Sequence, residues 1–480
     1  MKKSLVLVFC LLTAITAVYS QNEIDALRYS RLSPTGTARF TAMGGAFGAL
    51  GADFSSLSHN PAGIGLYTRS EFSITPSLYV GSSESRYMGD IREDEKYNFN
   101  LGNIGIVLVQ DLTMRNPSSQ WKRVQFGFGM NRMANFHNRV LISGFNETSS
   151  YLTPIVDESQ GVSLDDLDNF GAGLAYDTEL MWNDVNGVYY IDMPNGGVIQ
   201  RKSIESSGAI NEMVFSFGAN YNDQVYLGAT LGVPYISYKE TSIYTETDTE
   251  NRSDYFDSFT RIDELETSGT GINLKVGIIV RPTDFIRLGG AIETPTFYSM
   301  SDDFSTSFRS RFDTASSKRA SATGYYDYEL NTPFKAMAGV GIILGKSGLI
   351  SADYQYLNYS NARLRADDYD FEGENDAIRE SYNVAHNLRF GAEWRLGLLS
   401  LRGGYAISAN PYKEGTNSVM NTYSAGLGVR GGRVFADLTW AMNDMDDEYH
   451  LYSTPFNAEP PVADTQITNS MFLFTLGFRF

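Results

Sequence analysis

Four histidines and two acidic runs are the parts of this sequence whose residue types could support catalysis or metal binding. The histidines are His59, His137, His386 and His450, and none stands at a spacing typical of a catalytic or metal site. The acidic runs 367–372 and 444–448 lack the glycine and the terminal glutamate of an EF-hand loop. We therefore predict no enzyme activity, no catalytic residue, no cofactor and no bound metal, and we interpret the acidic runs as solvated surface.

A glycine-rich segment, MGGAFGALGADFSSLSHNPAGIGLY at residues 43–67, could at first sight bind a nucleotide. A P-loop needs a Lys and a Ser or Thr after its glycines, and neither follows here. Asp53 would repel phosphate, and no Val- or Ile-rich strand precedes the glycines as a dinucleotide fold requires. The segment therefore does not predict a nucleotide site.

The first 20 residues have the pattern of a secretory signal peptide. Lys2 and Lys3 precede an apolar stretch at residues 5–18, and Ser20 ends an acceptable cleavage site. The alternative, a transmembrane anchor, is disfavoured because the stretch is short. Cys10 is the only cysteine, so the predicted mature chain from Gln21 has no thiol or disulfide.

The composition of the exported chain indicates which structural class of protein it belongs to. The formal net charge of −18 excludes a general affinity for nucleic acid, and no later stretch is apolar enough to be a membrane helix. The 30 Tyr, 29 Phe and 45 Gly favour an outer-membrane β-barrel over its soluble rivals, a secreted β-sandwich or propeller.

Alternation with a period of two predicts strands with one lipid-facing side. In residues 388–396 one face carries only apolar side chains, whereas the other carries Arg389, Glu393 and Arg395. The same division recurs at residues 225–233, 399–408 and 434–440. An apolar band around a wet interior requires this arrangement.

About fourteen such runs follow residue 70, and their connections alternate in length. Short links lie at residues 222–223, 281–284, 345–348 and 431–432, and long ones at 82–97, 138–209, 241–268, 299–331, 360–383 and 443–468. Outer-membrane barrels have short periplasmic turns and long outer loops, so both chain ends are expected on the periplasmic side. We predict an all-β fold, a transmembrane antiparallel β-barrel of about 14 strands.

The last ten residues place phenylalanines on one face of the final strand. A strand that stops on an aromatic carboxy-terminus resembles the signal by which the barrel-assembly machinery recognises its substrates. Phe478 and Phe480 are therefore the predicted assembly signal, with that machinery as a partner during biogenesis.

The segment before the first strand contains Arg39, Met43-Gly44-Gly45-Ala46, Asp53 and Asn60-Pro61-Ala62-Gly63. In these residues it resembles the N-terminal hatch of the FadL family of outer-membrane transporters of hydrophobic compounds. It implies a hatch, or plug, at residues 21–69 inside the lumen of a fourteen-stranded barrel at residues 70–480. The residues Met43, Gly44, Gly45, Ala46, Asn60, Pro61, Ala62 and Gly63 are its predicted hatch motif.

The resemblance also implies a function and a location. Members of the family take fatty acids or aromatic compounds from their outer loops and release them past the hatch, often sideways into the membrane. The implied location is the outer membrane of a Gram-negative bacterium, with membrane lipid, lipopolysaccharide and a hydrophobic small molecule as partners. An alternative is a non-transporting barrel of this type that partners a protein secretion or surface-attachment machine. A general porin is weakened because residues 104–109 are apolar on both faces.

Two further sets of residues are candidates within that function. Gly127, Gly129 and Asn131 share the inner face of the third run, so we predict a bulge or broken ladder within residues 124–136, packed against residues 43–63 and acting as a lateral gate. Alternatively, these glycines only make room for the plug. A short helix at residues 165–181 would place Leu167, Phe170, Leu174 and Leu180 on one side for substrate capture, or merely for loop packing.

Overall fold

Fourteen antiparallel strands close into one barrel, which confirms the predicted fold class and strand number. A computed structural model describes residues 22–480 except 34, 115, 194–195, 314–316, 415–417 and 453–459, so the predicted signal peptide lies outside the described residues. Closure comes from β14 pairing with β1, with Phe478 opposite Phe72. The strands are β1 Glu71–Tyr87, β2 Asp90–Asp111, β3 Trp121–Asn135, β4 Val198–Tyr221, β5 Val225–Thr247, β6 Phe256–Val280, β7 Ile286–Glu293 with Phe297–Phe312, β8 Ser317–Asn331 with Lys335–Leu344, β9 Gly348–Asn358, β10 Val384–Leu396, β11 Leu399–Ser408, β12 Met420–Gly431, β13 Val434–His450 and β14 Val462–Arg479.

The interruptions in β7 and β8 coincide with prolines. Pro295 and Pro333 lie between the two parts of their strands, where a residue without an N–H group cannot continue the ladder. The outer parts then pair with each other from Phe297 opposite Asn331 outward.

The alternation of the sequence becomes a lipid-facing band. On β6, Ile272, Leu274 and Val276 are nearly half exposed, whereas the intervening Asn273 and Lys275 are buried inside the barrel. The strands continue well beyond this band, so most of the segments predicted as loops at 82–97, 241–268, 299–331 and 443–468 are paired strand. The polar composition of these segments indicates where the lipid-facing band ends, but backbone hydrogen bonds between the strands continue beyond it.

Residues 22–66, apart from 34, form an inner segment that is enclosed by the barrel. It contains α1 Glu23–Ser30, α2 Ala38–Ala42 and the 3₁₀ helices Phe54–Ser58 and Pro61–Leu66. The Tyr382 hydroxyl, in the outer connection between β9 and β10, donates to the Glu23 carbonyl at 2.9 Å. The expectation that both chain ends lie on the periplasmic side is therefore wrong for the first described residues, because α1 lies in the outer half of the lumen.

The connection between β3 and β4 packs over the outer mouth. It contains the strand Asn138–Asn146, α3 Leu152–Ser159, a 3₁₀ turn Leu164–Asp166, α4 Ala172–Asp177 and the paired strands Trp182–Asn183 and Tyr189–Tyr190. The helix predicted at 165–181 is interrupted because the Asp168 carboxylate accepts from the Phe170 N–H at 3.2 Å, which forms a turn. Between β9 and β10 lie the 3₁₀ turn Tyr359–Asn361, the strand Arg363–Arg365 and α5 Glu372–Ser381. In the described part of the chain, no helix is both long and apolar enough to cross a bilayer.

Candidate functional site

The Gly44–Gly45 turn of the inner segment contacts the barrel wall through backbone alone. Gly44 and Gly45 follow α2 with φ of +61° and +73°, a conformation that favours glycine. The Gly44 N–H donates to the Ser424 hydroxyl at 3.2 Å, and a Cβ on Gly404 of β11 would lie 2.1 Å from the Gly44 nitrogen. Glycine is therefore needed on the turn and at Gly404 for the turn to pack against the wall.

Asn60 joins the inner segment to itself and to β6. Its Oδ1 accepts from the Ala62 N–H at 3.1 Å and caps the 3₁₀ helix that begins at Pro61, while its Nδ2 donates to the Gly48 carbonyl at 2.6 Å. A Cβ on Gly277 would lie 1.9 Å from Asn60 Oδ1. This fully buried asparagine therefore fixes a turn and requires a glycine opposite it.

A buried ionic cluster ties the inner segment to the wall. Arg39 Nε donates to Glu393 Oε2 at 2.9 Å, and Arg402 Nε donates to the same oxygen at 2.8 Å. Arg402 Nη1 also donates to Asp437 at 2.6 Å. The side chains of Glu393 and Arg402 are fully buried, so each charge depends on its ion-pair partners and not on water.

A second group of polar residues forms hydrogen bonds within the inner segment. The Asp53 carboxylate accepts from the Thr37 hydroxyl at 2.8 Å and from the Ser55 N–H at 3.1 Å. Burial raises the pKa of Asp53 above its usual value, although Arg39 opposes the shift. Asp53 thus orders the chain on both sides of α2, a role that the sequence did not reveal.

The His59 ring is buried and packs against another aromatic ring of the inner segment. It stacks on Phe40 with the ring centres 4.7 Å apart, and its Nδ1 lies 3.4 Å from Arg389 Nη1. Burial, with Arg389 nearby, lowers the pKa of His59 well below its usual value, so the ring is neutral.

The ladder between β2 and β3 covers only part of either strand. Their register runs from Asp111 opposite Arg123 to Asn103 opposite Asn131, and within the described residues it stops there although β2 continues back to Asp90. On its other side β3 bulges against β4 between Arg132 and Ala134. The predicted bulge or broken ladder within residues 124–136 is therefore confirmed.

Beyond the bulge the chain bends to the inside of the wall. The strand Asn138–Asn146 pairs with β4, and the inward Ser83 hydroxyl of β1 donates to the Arg139 carbonyl at 2.7 Å. The resulting opening, which we call the β2–β3 gap, begins level with Thr75, midway along the outward apolar side chains of β1 from Phe72 to Val80.

Polar side chains bridge the β2–β3 gap where backbone bonds are absent. Asn98 Nδ2 lies 3.0 Å from His137 Nε2, and Lys96 Nζ donates to the Ser206 carbonyl at 2.8 Å. A cavity of about 90 Å³ lies behind the gap, and its wall includes Gly102, Ala134 and Leu473. The gap is therefore closed by side chains that can rotate.

The glycines predicted as gate residues pair regularly. Gly127 lies opposite Val107 and Gly129 opposite Gly105, and a Cβ at either position would meet Leu57 or Phe54 at 2.5–2.6 Å. These contacts fit the alternative interpretation, in which the glycines make room for the inner segment. Asn131, by contrast, ends the ladder and donates to the Ser58 hydroxyl at 2.8 Å.

The connection between β3 and β4, which we call the outer cap, buries three of the four candidate capture residues in its core. These are Leu167, Leu174 and Leu180. Phe170 is half-buried and packs on Phe304 with the ring centres 5.3 Å apart. The contacts of the three leucines fit the alternative of loop packing.

The carboxy-terminal phenylalanines face outward. Phe478 and Phe480 are about half exposed and stack with their ring centres 6.1 Å apart, and the Phe480 N–H donates to the Ser70 carbonyl at 3.0 Å. They therefore lie beside the seam where the barrel closes.

The buried charges around Glu393 are functional candidates that the sequence did not single out. Their only signal was that Glu393, Arg395 and Asp437 fall on the inward positions of alternating strands. Which inward charges meet is set by the registers of several strands, and periodicity in one strand does not give them.

Comparison with known proteins shows the fold. No protein-family model matches the chain, and no curated protein sequence does. Three similar crystal structures are the Pseudomonas putida toluene transporter TodX (10% identity, TM-score 0.57), a Pseudomonas aeruginosa FadL homologue (12%, 0.57) and the Ralstonia pickettii toluene transporter TbuX (14%, 0.52). Each match covers 93–94% of this chain and 99% of the other. The chain thus has the fold of FadL-type channels for hydrophobic compounds.

Proposed function

We propose that this protein is a passive channel for small hydrophobic molecules in the outer membrane of a Gram-negative bacterium, with no catalytic activity. The fold it shares with FadL-type channels supports this class of function. The observation that carries the proposal is the β2–β3 gap, which lies beside the inner segment and within the apolar band.

The proposed route ends sideways in the membrane. A hydrophobic molecule that left into the periplasm would expose its apolar surface at about 25 cal/mol per Å². A backbone group without a partner in lipid costs several kcal/mol, so a wall opens sideways only where other groups satisfy the backbone. At the gap the Lys96 ammonium supplies such a bond to the Ser206 carbonyl and the Ser83 hydroxyl supplies one to the Arg139 carbonyl, whereas Asn98 and His137 bond to each other through their side chains.

Passage also requires the inner segment to move, which makes it a hatch in this proposal. Tyr29 of α1 is buried against Phe136 and Tyr238, with ring centres 6.1 and 6.2 Å away, so α1 fills the lumen above the 90 Å³ cavity. We propose that the substrate first meets the outer cap near Phe170, the accessible member of the four capture candidates, and then displaces α1.

Uptake measurements in cells that lack their own channel of this type test the function. The chain should raise the uptake of radiolabelled oleate or toluene, and Gly102→Phe should abolish the increase. Gly102 lines the cavity behind the gap, and a Cβ there would already lie 3.3 Å from the Gly36 carbonyl oxygen and 3.4 Å from that of Thr75, so an aromatic ring at this position should obstruct the cavity. Gly290→Phe is the matched control, because a Cβ there meets only the Met337 carbonyl at 3.7 Å.

Each outcome bears on one part of the proposal. Unchanged uptake in a folded Gly102→Phe barrel would reject the lateral route. A folded wild-type barrel that raises the uptake of neither compound would reject the channel, and a protein that copurifies in fixed ratio would then favour the secretion-partner alternative.

A further inference from the structure

The short-turn end of the barrel, which we call the periplasmic rim, is basic although the chain as a whole is acidic. The rim contains eleven Lys or Arg residues and four acidic ones, whereas the formal net charge of the chain is −18. Positive charge is therefore concentrated at one end of the molecule. The rim consists of residues 67–72, 110–124, 220–226, 280–287, 343–349, 394–400, 429–435 and 478–480.

The acidic side chains of the rim are already paired with arginines. The N–O distances are 3.6 Å for Asp111 and 3.4 Å for Asp223, both with Arg123, 2.6 Å for Asp284 with Arg281, and 2.8 Å for Glu71 with Arg479. Within the described part of the rim, six cations have no carboxylate within 4.0 Å: Arg69, Lys122, Arg287, Lys346, Arg430 and Arg433. The rim thus keeps positive charge that its own acids do not neutralise.

Most of these cations follow one arc of the rim. Backbone hydrogen bonds join the neighbouring turns along it, from the Arg395 N–H to the Ser347 carbonyl at 2.6 Å, from Arg430 to Leu398 at 3.0 Å, from Arg479 to Arg433 at 2.7 Å and from Phe480 to Ser70 at 3.0 Å. The basic arc therefore runs from the turn between β8 and β9 round to β1, and it comprises Lys346, Arg395, Arg430, Arg433, Arg479 and Arg69. A ligand that matches it must present several anionic groups.

Three members of the basic arc are exposed to solvent and have no acidic partner. Arg69 precedes β1, Lys346 lies in the turn between β8 and β9, and Arg433 lies in the turn between β12 and β13. Each of these charged groups is accessible to a partner in solution. They therefore supply the contacts, whereas the less exposed Arg287 and Arg430 add only to the positive field.

The basic arc borders a cavity of about 440 Å³ beneath the inner segment. Its lining includes Arg287, Lys346 and Arg430 as well as the aliphatic side chains of Leu50, Leu66, Ile343 and Leu349. A concave surface lined by charges of one sign focuses the field and attracts the opposite charge. Lipid headgroups surround the outside of a barrel, so they do not reach groups that line the lumen. The cavity therefore favours a periplasmic anion that also carries apolar side chains.

We propose that the basic arc is a docking surface for an acidic, extended segment of a periplasmic protein. The carboxylates of the segment bind Arg69, Lys346 and Arg433, in part through the parallel hydrogen bonds that a guanidinium donates to a carboxylate. An aliphatic side chain of the segment enters the cavity and buries its surface there. The proposal rests on the orientation in the proposed function, with the short turns in the periplasm, and it goes beyond transport.

A peptide titration of the purified protein in phosphatidylcholine nanodiscs tests the docking surface. The probe is a fluorescent octapeptide of alternating glutamate and leucine, followed by anisotropy and corrected with empty nanodiscs; its counterpart has glutamine in place of glutamate. We expect saturable binding of the glutamate peptide only, and weaker binding at higher salt because the exposed charges are screened. The variant Arg69→Gln/Lys346→Gln/Arg433→Gln should weaken binding at least tenfold.

The matched control is Arg309→Gln/Arg319→Gln/Arg365→Gln. It removes three exposed cations from the other end of the barrel. Its affinity for the glutamate peptide should equal that of the wild type, and the heat-modifiable mobility of every variant reports whether the barrel has folded.

A cysteine in the turn between β8 and β9 tests the orientation separately. The native Cys10 lies in the predicted signal peptide, so Ser347→Cys introduces the only thiol of the predicted mature chain. A membrane-impermeant maleimide should label it only after the outer membrane has been permeabilised. Labelling in intact cells would place the basic arc outside the cell and overturn the proposal.

Four binding results would also overturn it. Wild-type protein that does not bind the glutamate peptide, or binds the glutamine peptide equally well, would reject an acidic partner; if uptake of oleate or toluene persists, the channel function stands without it. Binding of soluble peptidoglycan fragments in place of the peptide would reject a protein partner. Equal weakening by the control variant would mean that overall charge, and not the basic arc, attracts the peptide.

Discussion

At the scale of single residues, Glu393 is the acceptor on which the inner segment depends. It is fully buried and accepts from Arg39, Arg402 and Arg395. Loss of one partner of a buried pair costs about 3–5 kcal/mol, largely because the remaining charge is left uncompensated. Here two arginines remain on Glu393 after Arg39 is removed, so the carboxylate stays paired and the tie to the inner segment is what is lost.

Arg39→Gln should therefore loosen the inner segment more than it unfolds the barrel. We expect a loss of local stability at or below the lower end of the range of about 3–5 kcal/mol. Hydrogen exchange measured by mass spectrometry should show faster exchange in residues 37–43 and unchanged exchange in β10. Arg281→Gln, which breaks an exposed pair with Asp284, should change neither. Equal deprotection of β10 would show that Arg39 supports the wall itself.

Asp25 makes the docking of α1 sensitive to pH. Burial raises the pKa of Asp25 from 3.8 to about 7; Arg28 opposes the shift, and Asp302 and Glu240 add to it. The docked state thus binds the proton more tightly than free α1, so its stability is full below about pH 4 and falls as the pH rises through about 7.

We therefore expect the exchange protection of residues 23–30, corrected for intrinsic rates, to be greater at pH 5 than at pH 8. Asp25→Asn cannot ionise and should show equal protection at both values. An Asn variant that keeps the wild-type pH dependence would assign the effect to another group.

At the scale of elements, the fit between strands and inner segment rests on glycines of the wall. A Cβ would lie 1.9 Å from Gly48 O at Gly289 and 2.1 Å from Pro61 O at Gly228. These contacts are backbone against backbone, so a side chain on the wall cannot be accommodated by rotating a rotamer.

Gly277→Ala should displace the Asn60 turn, because its Cβ would lie 1.9 Å from Asn60 Oδ1. Overpacking of this kind costs about 1–3 kcal/mol. We expect a higher single-channel conductance in planar bilayers, with the barrel still folded. Gly290→Ala, where the nearest atom is 3.7 Å away, is the control and should behave as wild type. Wild-type conductance in Gly277→Ala would mean that the turn can yield without opening the lumen.

At the scale of the whole molecule, the barrel exists only when its last strand meets its first. β14 pairs with β1 along nearly its full length, and the Phe480 N–H adds a bond to the Ser70 carbonyl. Phe480 is therefore part of the seam.

Deletion of Phe480 should lower the amount of heat-modifiable barrel in the outer membrane several-fold, since it removes the predicted assembly signal and one bond of the seam. Phe480→Tyr keeps the aromatic ring and the backbone bond and should assemble normally. Undiminished assembly after the deletion would contradict the terminal-signal hypothesis.

The sequence by itself determined the apolar-banded part of each strand and the face that it presents. Side chains alternate strictly between the two faces of a strand, so one stretch such as residues 388–396 reveals its inward charges and its apolar band without any partner. The prolines and the Asn60-Pro61 turn are equally local, because they act through the geometry of their own backbone.

Only the tertiary structure decided what meets across the lumen. The sequence predicted an irregular third strand, but the bulge lies at Arg132–Ala134, beyond the glycines. The outer ends of the paired strands and the position of α1 were also predicted wrongly, because both depend on residues that are distant in the chain. The pairing of Arg39 with Glu393 joins residues hundreds of positions apart, and their contact is set by the register and closure of the whole barrel.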